Sequence, residues 1–448
     1  MRQELYNSLG LYQPTFFRIH IERDEDFSDY SLLEDIPAAV YLHEYIHFIQ
    51  DITTNSGLVN MFNVSQYIKY CSTFIKSSNL SSFATPIEPR YTFPINNNMD
   101  VVWYNLDHQK KYLGGVFPKE RKPKEYIGFE FTDLLFPQLN GSIKSTNQAV
   151  LKFNDQLDFE QKMSFGSLAI SEGMAWEIER YIYGDILGEA SLYPYHSVRL
   201  LLNELFPELL NDPLIIISIC DVSLLDINPG RLFLEIVQKL RNTCKTEFIP
   251  ENIYSLLNDY QFNVNGATDF FELLDVFGKS AIDAINDYFT TDSFKDTPKW
   301  IEHNISEAIK LRKENPLFII DLCKGGKIAN NLAYNEVFNK IGSPFVTNRQ
   351  DEAFFSSVLN HNYEIFPEYL MAINQFYKMF YSKQNKSNSC QLKGWCKQSC
   401  HNQGISDFTD DRCNESPWLR ALDPDPNFCT YGRMWKTWGL SNISPEYI

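Results

Sequence analysis

His43, Glu44 and His47 stand together in the stretch VYLHEYIHFIQD, residues 40–51. On an α-helix, residues four apart share a face, one turn above the other, so the two imidazoles could reach a single metal ion. Glu44 projects beside that pair, where it need not bind the ion and could take a proton from a water held there. With eight histidines in 448 residues, a chance H-E-x-x-H has odds on the order of one in a hundred. The flanks sharpen the reading: from Val40 to Gln50 the sole acidic or basic residue besides the histidines is Glu44, which suits a helix enclosed on every side. A buried carboxylate and two buried imidazoles need partners, and a metal supplies them. The plainer alternative is a core helix whose histidines meet carbonyls and carboxylates.

A catalytic zinc takes three protein ligands and keeps one position open. The metzincin continuation H-x-x-G-x-x-H is absent, because Gln50 and Thr53 occupy those places. No glutamate occurs from residue 48 to residue 87. Asp51, one turn beyond His47, is expected to steady a histidine rather than to bind the ion. The third ligand expected is Glu172, in the helical pattern FGSLAISEGMAWEIERYIYG (165–184), where Ala169, Ile170, Gly173, Met174 and Ala175 surround it. Gly173 and Ala175 permit the close approach that a short carboxylate needs to reach an ion on another helix. An acid left unpaired in so apolar a setting would be costly. Glu160 is the reserve candidate, and Glu179 is expected to accept a hydrogen bond from a ligating imidazole. The 124 residues between His47 and Glu172 are no obstacle, since closure entropy grows only logarithmically with length.

HEYIH followed by SEGMAWEIE resembles the gluzincin group of zinc metallopeptidases, whose second helix in the aminopeptidase branch carries a similar Asn-Glu-Gly-x-Ala pattern. Ser171 replaces that asparagine here, and the spacing between the motifs is several times longer. The resemblance covers residues 36–53 and 168–183. It implies Zn2+ held by His43, His47 and Glu172 with water in the fourth position, and Glu44 as general base in peptide hydrolysis without a covalent intermediate. It also implies a donor for the developing oxyanion. His196 is the first candidate for that role, with Tyr195, Tyr193 and Tyr183 behind it, all following the Glu172 helix closely.

These residues need elements to position them. TFFRIHIE (15–22) alternates as a strand, and AAVYLHEYIHFIQDI runs as a helix from Pro37 to Thr53 without a breaker. Residues 81–157 read as a β-rich insertion, with strands expected at RYTFPI, DVVWYNL, EYIGFEFTDL and AVLKFND. Helical patterning resumes at 158 and dominates to 383, until the polar break SKQNKSNS. The fold expected is α+β: a mainly helical zincin-like catalytic core over 1–200, a helical region over 201–383 and a Cys-rich segment over 384–448.

That last segment holds five of the nine cysteines. Cys390, Cys396, Cys400 and Cys413 are soft ligands in a stretch with little core of its own, so a second, structural Zn2+ is expected there, with free thiols, disulfides or an iron–sulfur cluster as alternatives to it. Cys71, Cys220, Cys244 and Cys323 are expected to pack as small apolar side chains.

Composition narrows the function classes. Apolar residues at 44% with 34 Phe and 25 Tyr make a folded protein. A net charge of −17 opposes nucleic-acid binding. The apolar run PLIIISIC is far short of the roughly 20 residues that span a bilayer. No continuous apolar stretch of the signal-peptide kind stands in MRQELYNSLGLYQPTFF, so a cytoplasmic location is expected. The function expected is a selective intracellular zinc peptidase with a protein or peptide substrate, with or without a regulatory partner. Two other classes stay open: a catalytically silent, metal-stabilised protein-binding module, and a zinc hydrolase of a non-peptide bond.

Overall fold

The computed structural model of the chain describes residues 9–447 apart from 79, 88–94, 96–97, 118–120, 138–141, 244–247, 361, 382–388 and 425–428. Its centre is helix α1, Asp35–Thr53, which is buried without interruption from Pro37 to Thr53. An acid at the first position and a proline in the first turn suit the helix start, where amide hydrogens have no partner within the helix. Thr54, with extended backbone, ends α1, and its hydroxyl accepts from Gly57 N to cap helix α2, Asn55–Ser77.

Above α1 lies a four-stranded sheet. Strand β1, Gly10–Gln13, runs antiparallel to β2, Arg18–Ile21, with Tyr12 opposite Ile19. Two strands, β3 (Ser82–Thr85) and β9 (Ser444–Tyr447), form a separate parallel pair. A second sheet is antiparallel: β4 (Pro123–Pro137), β5 (Ile143–Asp155) and β6 (Glu160–Ser164). The first sheet is completed by β7 (Phe345–Thr347), parallel to β2, and β8 (Ala353–Phe354), in the order β1-β2-β7-β8, which leaves β1 at an edge. The mixture of helices and several sheets is the expected α+β class.

The stretch 81–157 is less purely β than its sequence suggests. DVVWYNL belongs to helix α3, Asn98–Leu113, which buries Trp103, Tyr104 and Leu106. Aromatic and β-branched residues favour strands locally, but Trp103 and Leu106, three apart, share a helix face, and packing of α3 on α2 decides. Asn63 and Asn60 of α2 grip Gln109 of α3 at 3.0 and 2.6 Å. EYIGFEFTDL and AVLKFND are strands as expected, and the sheet continues through β6 to Ser164. RYTFPI falls almost wholly outside the described residues.

Helix α4, Ser167–Tyr183, crosses α1, and helix α5, Ser197–Leu205, crosses α4. The later helices enclose this centre. Thr297–Glu314 packs on α1, where the wholly buried Arg312 pairs with Asp221 and donates to Thr53 Oγ1 at 3.1 Å. Among the described residues no helix is long and apolar enough to cross a membrane.

Candidate metal centre

α1 and α4 bring His43, His47 and Glu172 together. The Nε2 atoms of His43 and His47 lie 3.4 and 3.2 Å from Glu172 Oε2, and all three side chains are buried. Among the described residues this is the group of three or more His, Cys, Asp or Glu side chains whose ligand atoms all fall within 4.8 Å of one another. Two ligands held tetrahedrally at about 2 Å from one zinc stand about 3.3 Å apart. The observed separations match that figure and are long for hydrogen bonds to a carboxylate.

The outer nitrogens fix the inward ones. His43 Nδ1 meets Glu179 Oε2 at 2.9 Å, as expected of Glu179. His47 Nδ1 meets Gln50 Oε1 at 2.7 Å, while Gln50 Nε2 donates to Ser171 O at 3.1 Å, which orients the amide with its oxygen towards the ring. With acceptors on both Nδ1 atoms, each ring carries its proton there and turns the Nε2 lone pair towards Glu172. Burial works against a charged His43, but hydrogen bonds to Glu172 and Glu179 and the field of Glu44 outweigh it and raise the ring to about 10, so Nε2 offers its lone pair once a cation takes the place of the proton between His43 and Glu172. Three buried acids around two imidazoles make a site that calls for a cation, and the donor set suits a divalent one.

Glu44 is held from the other side. Its Oε2 accepts from Tyr12 N at 2.5 Å, so the edge strand β1 lies directly over the carboxylate. At Gly10 a Cβ would sit 2.7 Å from Glu44 Cγ and 2.9 Å from Oε1, so only glycine leaves Glu44 this room. Asp51 holds the strand: its Oδ2 accepts from Tyr12 OH at 2.9 Å and Thr15 N at 2.7 Å. Thr15 has φ +74°, a conformation that a β-branched residue adopts only under constraint. Gln50 stands on His47 Nδ1, a contact that sequence reasoning, which looked to Asp51 to steady a histidine, did not name. Both lie one turn from His47, and the signal that separates them is the β1–β2 turn that claims Asp51.

Of the four residues considered as oxyanion donors, Tyr195 sets its ring edge-on to His43 with centroids 5.9 Å apart. His196 points elsewhere. Its ring lies on Trp176 at 4.4 Å, and burial lowers its pKa, partly offset by a hydrogen bond with the Ala190 backbone. Tyr193 donates to Gly115 O, and Tyr183 accepts from Ile328 N. Gly173 matters as expected, though for a different neighbour: a Cβ there would meet Val198 Cγ2 at 2.7 Å, so it lets α5 and the Tyr195 segment close on α4. Glu160, the reserve ligand, is an exposed residue of β6 facing Lys162.

A cavity of about 940 Å³ opens on the site, with His47, Gln50, Tyr12 and Tyr195 in its wall beside Asn105 and Lys110. That is the size of a typical ligand cleft. The C-terminal thiols behave differently from the expectation of a four-cysteine zinc: Cys390, Cys396, Cys400 and Cys413 are all buried and free, but no three sulfurs come within 4.8 Å of one another. Cys71, Cys220 and Cys323 are buried as packing thiols, and Cys244 lies outside the described residues. Comparison with protein-family models, curated proteins and solved structures finds no match to this chain.

Proposed function

We propose that the protein is a zinc-dependent peptidase of gluzincin type, with His43, His47 and Glu172 as metal ligands. The observation that carries the reading is the meeting of two inward-facing Nε2 lone pairs and a carboxylate in a buried site, with Glu44 on the same helix and unable to serve as the third ligand while it is tied to β1. A bound zinc would polarise the scissile carbonyl and acidify an adjacent water. Glu44 accepts the proton of that water and returns it to the leaving amine, a role for which its second oxygen and its position beside His43 suit it. Tyr12 N keeps the carboxylate in place, and Tyr195 donates to the oxygen on which charge develops. The cleft offers an extended segment both an apolar wall and amide groups, which favours a peptide over a small substrate.

Glu44→Gln tests this directly. Bound metal should be unchanged, while cleavage of a general protein substrate falls by at least a hundredfold. Cleavage that survives the substitution would remove the peptidase reading and leave a metal-stabilised binding protein.

A further inference from the structure

The cleft beside the metal centre carries charge of the sign opposite to the chain's. The sequence has a net charge of −17, yet among the described residues the cavity wall sets Lys110, Arg121, Lys122 and Lys378 against the acids Asp51 and Glu189. Some of these groups already have a structural task. Asp51 is held by Tyr12 OH and Thr15 N, and Arg121 pairs with Asp155 at 2.6 Å while lying over the Phe159 ring. What then faces a ligand is a set of lysines and the exposed Glu189.

Two of the lysines have a definite place relative to the metal site. Asn374, Tyr377, Lys378 and Tyr381 all line the cavity from the helix Glu368–Tyr381, and their spacing puts them on one helix face. That face begins beside the site: Asn374 Nδ2 donates to Gln13 Oε1, and Gln13 follows Tyr12, whose amide holds Glu44. From Asn374 the helix rises about 6 Å to Lys378 and about 10 Å to Tyr381. There α3 meets it, with Lys110 Nζ 4.5 Å from the centre of the Tyr381 ring. Among the described residues no carboxylate pairs with Lys110, which is half-buried. An ammonium over a ring face keeps donors for a ligand, and its field is stronger in a cleft than on an open surface.

We infer that the cleft takes an acidic polypeptide segment, and that Lys110 and Lys378 select an Asp or Glu side chain near the bond placed at the metal. The inference rests on the peptidase reading and adds the substrate class to it. An extended chain advances about 3.3 Å per residue, so the rise from the Gln13–Asn374 contact to the lysines puts the selected acid about two to four residues from that bond, on one side of it. The rest of the molecule supports the selection. An acidic segment is repelled by a surface of net charge −17 and attracted at the lysine wall, which fixes its register in the cleft.

The test is a series of peptides with amidated C-termini, so that only side-chain carboxylates are read, in which one residue is set to Glu, Gln or Lys at successive positions on both sides of the cleaved bond. Wild-type kcat/KM should peak for Glu about two to four residues to one side. There Glu should exceed Lys by about tenfold or more, and the ratio should shrink as salt rises. Lys110→Glu and Lys378→Glu should each invert the preference and make the Lys peptide the better substrate. A lysine that only packs on Tyr381 would lower every peptide alike when replaced, and that result overturns the inference. Binding of the same peptides, fluorescently labelled, to the Glu44→Gln chain separates this inference from the peptidase reading. Cleavage without charge preference, or with a preference for Lys, overturns the inference and leaves the peptidase. Binding selective for the acidic peptides with no cleavage by the wild-type chain removes the peptidase and keeps the assignment of the cleft. Binding indifferent to charge overturns that assignment as well.

Discussion

At the scale of single residues, adjacent side chains in one loop make opposite commitments. Tyr195 sets its ring against His43, and His196 lays its own on Trp176. The two substitutions should therefore separate. Tyr195→Phe removes only a hydroxyl and is expected to lower kcat by about a hundredfold, the usual loss on deleting one oxyanion donor, with KM little changed. His196→Ala should leave kcat within about twofold, since its contact is with an aromatic packing surface. Steady-state kinetics on one peptide substrate checks both, and equal losses would mean that the loop as a whole positions the substrate. The pairing of His43 with His47 was legible in the sequence, because helical spacing and an uncharged flank are local signals. The sequence could not choose Tyr195 over His196 or Gln50 over Asp51, because those choices are made by Trp176 and by the β1–β2 turn, which lie far away along the chain.

Elements act on the site through close contacts. β1 is an edge strand whose Gly10 faces Glu44, and Gly10→Ala puts a methyl into space that the Glu44 carboxylate holds. The side chain moves more readily than the strand, so the cost in stability should be about 1 to 3 kcal/mol, while a displaced general base lowers kcat by tenfold or more. A melt beside a turnover assay distinguishes this from general unfolding, and an unchanged kcat would show that Glu44 has slack. The helix Glu368–Tyr381 offers a different reading of local environment. Glu368 is buried at its first position, and burial, partly offset by a backbone contact and by Arg433, raises the carboxyl to about 7. The ordinary value of this acid is 4.5, so stability is greatest below that pH and declines as pH rises towards 7, by about 3 kcal/mol in all from this group. Glu368→Gln should flatten that part of the curve and stabilise the protein at pH 8, as denaturant unfolding at pH 4 to 8 would record. Helix positions such as this one were legible from apolar spacing, whereas α3 was misread as strand because its residue types speak for β and only its partner α2 speaks for a helix.

On the scale of the whole molecule, the half that carries the candidate metal centre is closed by the chain that follows it. β7 lies 327 residues from its partner: His20 pairs with Thr347, and β9 returns from the C-terminus to β3. Three-residue strands have no sequence signature of their own, which is why 1–200, 201–383 and 384–448 read as consecutive units although they share sheets. The tie most exposed to test is the Arg312–Asp221 pair. Both groups are fully buried, Arg312 reaches Asp221 Oδ1 at 2.8 Å and Thr53 at the end of α1, and Tyr254 donates to the same carboxylate. Arg312→Met leaves Asp221 charged and enclosed, so a loss of about 3 to 5 kcal/mol is expected. Replacing both partners, Arg312→Met with Asp221→Leu, removes the stranded charge and should recover much of that loss, since a buried pair often does little better than apolar residues of similar volume. Because Thr53 ends the helix that carries His43 and His47, the single variant should also weaken metal retention while the double variant restores it. If the double variant proves no more stable than the single, the pair does more than neutralise itself, and the end of α1 depends on the guanidinium for its position.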